Sequence, residues 1–220
     1  MKNHIQEVKG VKMIKNIIFD FGNIIVKFNN YDMVSKFTDK EEIKEFLINE
    51  VVHSDEWLKK GMIDLGLISL KEMANRINKR TNYKYKNEVY DFSTKFPYEL
   101  EYNGNVLKLI KKLKDKGYKL YLLSNTSEEV FKLFMKDLEP LFDGMVLSYK
   151  INMIKPYDGI YQYLINTFKL NSKECLFIDD RQDNIDTANK YGIKGRKINR
   201  NDYNDIIKVL EEYNIFGGNI

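Results

Sequence analysis

Acidic side chains stand at two points of this 220-residue sequence where a short apolar run ends. Asp20 closes the run Ile-Ile-Phe, and Asp179 and Asp180 close the run Leu-Phe-Ile. A single Asp in such a place often does no more than cap a turn. Two adjacent carboxylates at the edge of a core, however, repel each other unless a cation or a donor group compensates them. Magnesium suits this requirement, because it takes one or two carboxylate ligands and leaves positions for water and a substrate phosphate.

Two further groups of polar residues could bind an anion. Ser124 and Asn125 follow the apolar pair Leu-Leu and stand at the start of a predicted helix, where free N–H groups favour phosphate oxygens. The same residue types are also the commonest ordinary helix caps. Lys155 directly precedes Pro156, which would start another predicted helix. A lysine is usually a solvated surface charge, so only this position adds Lys155 to the candidates.

The elements that would position these residues are short apolar strands that alternate with helical patterns. Strands are predicted over 15–20, 118–124, 144–148, 174–179 and 193–198. One helix is predicted after Asn125, with Thr126 and Glu129 in capping-box spacing, another after Pro156, and a third ending at Gly192. The alternation predicts an α/β fold, a Rossmann-like parallel five-stranded sheet flanked by helices. All four polar groups would then meet at the carboxyl ends of the strands.

A long segment separates the first two predicted strands. It far exceeds the ~10–12 residues that a minimal crossover needs. Residues 30–96 read as helical throughout, with apolar stripes such as Ile43, Leu47 and Val51, and a capping box formed by Ser69 and Glu72. We therefore predict a helical cap domain over 30–96, inserted into a core made of 1–29 and 97–220. An insertion at this end of the sheet would lie over an active site.

Composition and charge restrict the class of protein. The 36 basic and 32 acidic residues are interspersed and leave a net charge of +4, so the concentrated positive field that binds nucleic acid is absent. The amino-terminal residues lack the apolar middle of a signal peptide, and no segment approaches the ~18 apolar residues of a membrane span. The single cysteine, Cys175, cannot form an internal disulfide. We expect a cytoplasmic protein with no nucleic-acid or membrane partner, and the oligomeric state stays open.

The order of the four polar groups resembles that of the haloacid dehalogenase-like hydrolase superfamily. The similarity covers the chain from about residue 15 to 210. The segments FDFGN, LLSNT, IKPYDGIY and FIDDRQDNID look most like the bacterial branch that includes sugar 1-phosphate phosphatases. The position of the helical insertion is similar to that of the first cap class in this superfamily. The resemblance implies a magnesium-dependent phosphatase that acts on a small phosphorylated metabolite.

The resemblance also implies roles for the matched residues. Asp20 would be the nucleophile that attacks phosphorus and forms an aspartyl-phosphate, which water then hydrolyses. Ser124, Asn125 and Lys155 would bind the substrate and surround the phosphoryl group during its transfer. All four residues are therefore predicted to take part in catalysis.

For the metal, the resemblance implies a site formed by Asp20, Asp180, Asp179 and the backbone carbonyl of Gly22. Asp179 suits a supporting place in this group better than a direct one. Gly22 itself departs from the superfamily pattern, because most of its phosphatases carry at this position a second Asp that protonates the leaving oxygen. General acid catalysis is typically worth ~10²–10⁴-fold. Its loss predicts a slow enzyme, a substitute acid, or a substrate with a good leaving group such as an anomeric phosphate.

Other residues of the insertion offer weaker signals. His53 could be the substitute acid, but a lone histidine on a helical segment is more often structural or solvated. Trp57 and Tyr31 could stack on a sugar ring, although aromatic residues of small bundles usually belong to the core. Leu65 stands where relatives often carry a basic residue, which weakens any inference about specificity.

Two alternatives to a phosphatase stay open at this stage. A dehalogenase of the same fold attacks carbon and needs neither the metal nor a second Asp. Gly22 is compatible with that activity, whereas the adjacent pair Asp179 and Asp180 opposes it. The third hypothesis is a weakly active phosphate-binding or regulatory member that lacks the general acid.

Overall fold

The computed structural model describes residues 13–215, so both ends of the predicted core, 1–12 and 216–220, lie outside it. The described strands are β1 (Asn16–Phe19), β2 (Val26–Lys27), β3 (Glu101–Tyr102), β4 (Lys119–Ser124), β5 (Gly144–Leu147), β6 (Cys175–Asp179) and β7 (Lys194–Lys197). Five of them form one parallel sheet in the order β5-β4-β1-β6-β7. The predicted α/β class and the five predicted core strands are confirmed.

Both faces of the three central strands, β4, β1 and β6, are buried, which explains why these strands read as continuous apolar runs. In β1, Ile17 and Phe19 pack into one hydrophobic cluster and Ile18 packs into a second cluster on the opposite face. The register pairs Phe19 with Leu122 of β4 and with Ile178 of β6. The carboxyl ends of the three central strands are therefore level with one another.

The described α-helices are α1 (Asn30–Ser35), α2 (Glu41–Phe46), α3 (Leu70–Arg80), α4 (Lys86–Lys95), α5 (Gly104–Asp115), α6 (Glu128–Leu138), α7 (Ser148–Ile151), α8 (Asp158–Thr167), α9 (Gln182–Lys190) and α10 (Tyr203–Glu212). Helices α5, α6 and α10 contribute to the first cluster, and α8 and α9 to the second. Short 3-10 turns lie at Phe96–Glu99, Glu139–Leu141 and Ser172–Glu174. Within residues 13–215, no helix combines the length and the apolar character needed to cross a bilayer.

The predicted cap of α6 is wrong by one residue. Ser127, not Thr126, is the N-cap, and its Oγ accepts a hydrogen bond from the backbone N–H of Val130. The N–H of Thr126 instead donates to Ser148 Oγ at 2.9 Å, and Glu129 accepts from the N–H of Leu70 at 3.0 Å. Tertiary contacts have replaced the local capping box.

The segment between β2 and β3 includes residues 30–96, for which the sequence predicts a helical insertion. It contains α1 to α4 and two π-helical turns, Leu47–Val52 and Asp55–Lys59. Its predicted apolar stripes are buried, and Ser69 Oγ accepts from the N–H of Glu72 at 3.1 Å as predicted. Strands β2 and β3 pair antiparallel where the segment leaves and rejoins the core. These two-residue strands are too short to carry a periodic signal, and the sequence analysis did not predict them.

The longest non-helical part of the insertion is residues 61–69, although helix is predicted throughout 30–96. Residues 61–69, here called the insertion loop, form turns, with Gly61 at φ +63° and Gly66 at φ +70°. The loop is held against α7, where the backbone carbonyl of Leu65 accepts from Asn152 Nδ2 at 2.6 Å. A Cβ on Gly66 would lie 2.8 Å from the carbonyl oxygen of Tyr149. Glycine is thus required for both the turn and the close contact.

Candidate active site

A cavity of about 610 Å³ lies between the carboxyl ends of the strands and the insertion. Asp20, Asn125 and Lys155 line it from the core, together with Asp180. The segment between β2 and β3 contributes apolar side chains such as Phe28, Trp57, Ile63 and Phe96, one carboxyl group, Asp64, and the polar side chains of Asn30, His53, Lys59 and Lys60. The predicted polar groups therefore face a space that a small molecule could enter.

Lys155 is the centre of the charged side of this cavity. Its Nζ lies 2.7 Å from Asp20 Oδ1 and 2.7 Å from Asp179 Oδ2, and the lysine is only 3% exposed. Asp20 Oδ1 also accepts from the N–H of Phe21 at 2.7 Å. A buried lysine is stable as a cation only when carboxylates surround it in this way. Lys155, a predicted catalytic residue, is thus a buried ion-pair partner and not the solvated surface charge that a lysine usually is.

Asn125 holds Lys155 in place. The backbone N–H of Lys155 donates to Asn125 Oδ1 at 2.8 Å, and Asn125 Nδ2 donates to the carbonyl of Lys155 at 2.9 Å. This reciprocal pair joins the end of β4 to the loop before α8. Asn125 therefore fixes the position of the lysine as well as facing the cavity.

The Asp179 carboxylate is fully buried and saturated with donors. The backbone N–H of Arg181 donates to its Oδ1 at 2.8 Å. The amide of Asn184 donates to its two oxygens at 3.0 and 2.9 Å. Together with Lys155, these contacts occupy both oxygens. Asp179 therefore orients the lysine and has little capacity left for another ligand.

Asp180 has a more open environment. Its Oδ2 accepts from Asn23 Nδ2 at 3.0 Å and from Arg200 Nε at 3.0 Å. No hydrogen bond to its Oδ1, or to Asp20 Oδ2, comes from the described residues. Each of these two carboxylates therefore retains an oxygen for a ligand in the cavity.

The electrostatics of the cluster depend on burial and on Lys155. Burial raises the pKa of Asp20 to about 7, against the attraction of Lys155 and with added repulsion from Asp179 and Asp180. Burial lowers the pKa of Lys155, but the carboxylates of Asp179 and Asp20 outweigh it, so this pKa lies above its ordinary value. The lysine is charged, and Asp20 needs further positive charge to ionise fully at neutral pH.

The residues present fit a divalent cation. Asp20, Asp179 and Asp180 each offer a carboxylate oxygen, and these oxygens lie within 4.8 Å of one another. Three negative charges face the cations of Lys155 and Arg200, which leaves an excess negative charge before any phosphate arrives. A hard cation with carboxylate ligands is the group that such a donor set accepts. Gly22 lines the same cavity, as its predicted role in the metal site requires.

Ser124 is buried behind the residues that line the cavity. Its Oγ is buried without a hydrogen-bond partner among the described residues, and Ser124 is not among the residues that line the cavity. An unsatisfied buried hydroxyl is costly. A bound anion at the end of β4 would give it a partner.

The structure also shows where the weaker candidates of the sequence analysis lie relative to the cavity. Trp57 is 6% exposed and packs on Phe96 with ring centroids 4.5 Å apart, so it belongs to the core of the insertion. Tyr31 is exposed, donates to Glu41, and does not line the cavity. His53 does line it, and its Nε2 lies 3.3 Å from the side-chain amide of Asn30.

Sequence reasoning missed Asn23, Asn184 and Asp64. The two asparagines orient the paired acids, and their positions just after the motif residues were the available signal. Asp64 had no such signal, because its place in the cavity depends on how the insertion loop folds. It is partly buried, and burial raises the pKa of Asp64 to about 7 against the attraction of Lys155.

Comparison with known proteins gives one family match. Residues 17–196 match the family described as haloacid dehalogenase-like hydrolase. The D-ribitol-5-phosphate phosphatase of Bacteroides thetaiotaomicron is 29% identical over 192 residues, which cover 83% of this chain and 90% of that protein. The glyceraldehyde 3-phosphate phosphatase of Methanocaldococcus jannaschii is 24% identical over 221 residues, covering 88% and 89%.

Solved structures show the same fold. A HAD family enzyme from Bacteroides thetaiotaomicron superposes with a TM-score of 0.72 at 24% identity, covering 90% of this chain and 99% of that one. A structure of that enzyme in complex with magnesium and inorganic phosphate has a TM-score of 0.66 at 23% identity, covering 88% and 98%. The L-2-haloacid dehalogenase of Xanthobacter autotrophicus has a TM-score of 0.63 at 14% identity, covering 91% and 83%.

Proposed function

The chain belongs to the haloacid dehalogenase-like hydrolase family, and from this premise we propose that it is a magnesium-dependent phosphatase of a small phosphorylated metabolite. The relatives named as phosphatases of ribitol 5-phosphate, phosphoglycolate and glyceraldehyde 3-phosphate support a phosphorylated substrate. The observation that carries the proposal is the arrangement of Asp20, which faces the cavity beside buried Lys155 and near Asp180.

The proposed reaction starts at Asp20. Its Oδ1 is held by Lys155 and the N–H of Phe21, so Oδ2 is the oxygen available to attack phosphorus. Attack forms an aspartyl-phosphate and releases the alcohol, and water then hydrolyses this acyl phosphate. Lys155, Ser124 and Asn125 would contact the phosphoryl oxygens, on which the charge of the transition state resides.

Asp20 and Asp180 would hold the metal, together with the backbone carbonyl of Gly22. Asp179 would contribute indirectly, because it holds Lys155 and is itself fixed by its other hydrogen bonds. When bound, magnesium supplies the positive charge that lets an ionised Asp20 approach an anionic substrate. The helical insertion, 30–96, would serve as a cap that excludes water from the cavity.

The relatives favour a phosphorylated polyol or sugar as the substrate class. The cavity has room for such a molecule, with charged groups at the sheet and both apolar and polar side chains on the insertion, the latter including Lys59 and Lys60. A terminal alcohol of a polyol is a poor leaving group. This substrate class therefore makes the source of the leaving-group proton important, since Gly22 has no acidic side chain.

The test measures inorganic phosphate released from D-ribitol 5-phosphate, glyceraldehyde 3-phosphate, phosphoglycolate and p-nitrophenyl phosphate. Wild type is compared with Asp20→Asn, in magnesium and in chelator. We expect metal-dependent turnover and a loss of about 10⁴-fold or more in Asp20→Asn, because the nucleophile is removed. Asp91→Asn is the matched control, since Asp91 pairs with Lys95 on the exposed side of α4.

Three results would contradict the proposal. Metal-independent release of halide from 2-haloacids would identify a dehalogenase. Binding of magnesium and phosphate without turnover of any ester would identify a phosphate-binding or regulatory protein. Full activity of Asp20→Asn would exclude the aspartyl-phosphate route.

A further inference from the structure

Four carboxyl groups line the cavity among the described residues, and one of them has no partner. Three are paired with cations, namely Asp20 with Lys155 at 2.7 Å, Asp180 with Arg200 at 3.0 Å and Asp183 with Arg181 at 2.6 Å. Within residues 13–215, the Asp64 carboxylate makes neither a hydrogen bond nor an ion pair. An unpaired carboxyl on a cavity wall is free to act on what enters the cavity.

The backbone of Asp64 is fixed against the loop that carries the core site. Ser148 Oγ donates to the carbonyl of Asp64 at 2.5 Å and accepts from the N–H of Thr126 at 2.9 Å. Thr126 directly follows Asn125, which positions Lys155. One hydroxyl therefore connects the insertion loop to the phosphoryl-binding end of β4.

The environment of Asp64 favours its protonated form. Burial raises the pKa of this carboxyl to about 7, while the charge of Lys155 opposes the rise. Lys155 also contacts Asp20, so the two carboxyl groups belong to the same charged region of the cavity. A carboxylic acid that keeps its proton near neutral pH has the acidity that general acid catalysis requires.

We propose that Asp64 is the general acid and base of the reaction and supplies the function that Gly22 cannot. This inference rests on the proposed phosphatase activity. As the Asp20 carboxylate forms its bond to phosphorus, the bond from phosphorus to the leaving oxygen breaks, and that oxygen takes the proton of Asp64. In the second step the Asp64 carboxylate removes a proton from water, whose oxygen attacks phosphorus and expels Asp20.

Other side chains of the cavity suit this role less well. His53 is exposed and already close to the amide of Asn30. Asp183 is held by Arg181 through both of its oxygens, at 3.1 and 2.6 Å. Asp64 lines the cavity from the insertion loop, whereas Asp20, Asn125 and Lys155 line it from the core. An in-line attack by Asp20 sends the leaving alcohol away from Asp20, so a proton donor that belongs to the insertion suits the role.

The test compares phenyl phosphate with p-nitrophenyl phosphate in wild type and Asp64→Asn. The two esters have similar size, but p-nitrophenolate leaves without protonation and phenolate needs more help. We expect Asp64→Asn to lower kcat/KM about 10²-fold or more for phenyl phosphate and less than about 3-fold for p-nitrophenyl phosphate. The quantity kcat/KM is used because it reports the first chemical step.

The difference between the two esters is the decisive readout, because a partly misfolded variant loses activity on both equally. Asp91→Asn is the matched control on the insertion and should keep both values. Equal losses on the two esters, or no loss on either, would overturn the role of Asp64 while leaving the phosphatase intact. No turnover of either ester by wild type would overturn the proposed function, and the role of Asp64 with it.

Discussion

The two sides of the cavity differ in how they treat charge. On the core side, Lys155 and Asp179 are buried and fully engaged with each other and with neighbouring donors. On the insertion side, aromatic rings pack together and the one carboxyl group, Asp64, is left unpaired. The core therefore holds a preorganised charge arrangement, whereas the insertion contributes Asp64 as its one acidic group, beside the basic side chains of Lys59 and Lys60.

This difference suggests that the two sides of the cavity have different roles in the reaction. The core end of the sheet would bind the part that all phosphate esters share. The insertion would act on the part in which they differ, the leaving alcohol. Substitutions that remove an ionisable group should accordingly have opposite effects on stability on the two sides, because the core side gains from its charges and the insertion side tolerates one at a cost.

The largest expected effect is on the core side, in Lys155→Met. Loss of the ammonium leaves the carboxylates of Asp20 and Asp179 buried against each other. We expect the free energy of unfolding to fall by about 3–5 kcal/mol and kcat/KM to fall about 10²–10³-fold. Chemical denaturation and phosphate release measure the two effects.

Lys150→Met is the matched control for this prediction. Lys150 lies on the exposed side of α7, where its Nζ is 5.9 Å from the centre of the Tyr149 ring. It should change the free energy of unfolding by less than about 0.5 kcal/mol. A similar loss in both variants would mean that the core cluster contributes no special stability.

The core side was also the more predictable one. Asp20, Ser124 and Asp179 follow apolar runs that read as buried strands, and the parallel arrangement of those strands brings their ends together. Pattern and topology were enough to place these residues at one edge of the sheet. The partner of Lys155 was not predictable in detail, because it depends on which carboxylate oxygens face the lysine.

The insertion was less predictable because the insertion loop, which carries Asp64, has no regular secondary structure. The sequence pattern predicts a helix through residues 61–69, and it does not indicate the turns that Gly61 and Gly66 permit. Asp64 faces the cavity only because Ser148 and Asn152, far along the chain, hold this loop. Contacts of this kind carry no periodic signal, so the sequence did not predict a role for Asp64.

The next effect in size concerns how firmly the loop is held, and Gly66→Ala tests it. The new Cβ would meet the carbonyl of Tyr149 at a backbone conformation with φ +70°. The left-handed conformation costs about 1–2 kcal/mol for Ala, and the contact adds to it. We expect a loss of about 2–3 kcal/mol in the free energy of unfolding and a larger loss of kcat/KM for phenyl phosphate than for p-nitrophenyl phosphate.

Gly104→Ala is the matched control, because Gly104 opens α5 and a Cβ there meets nothing within 4 Å. It should leave stability unchanged or raise it by about 0.4–1 kcal/mol. If Gly66→Ala behaved in the same way, the close packing of the insertion loop on α7 would not matter for the position of Asp64.

The smallest expected effect is a gain of stability on the insertion side, in Asp64→Asn. Folding raises the pKa of Asp64 from 3.8 to about 7, so the unfolded chain releases this proton first and wild type loses stability as the pH rises through that interval. A rise of this size corresponds to about 4 kcal/mol for a fully buried group, and exposure to the open cavity reduces it to about 1–2 kcal/mol. Asparagine cannot ionise, so the variant should be more stable than wild type at pH 8 and indistinguishable from it near pH 3.5. Urea denaturation at the two pH values measures the difference. A variant that is equally stable or less stable at pH 8 would show that the Asp64 carboxylate is compensated in the fold, and the contrast between the two sides of the cavity would not hold.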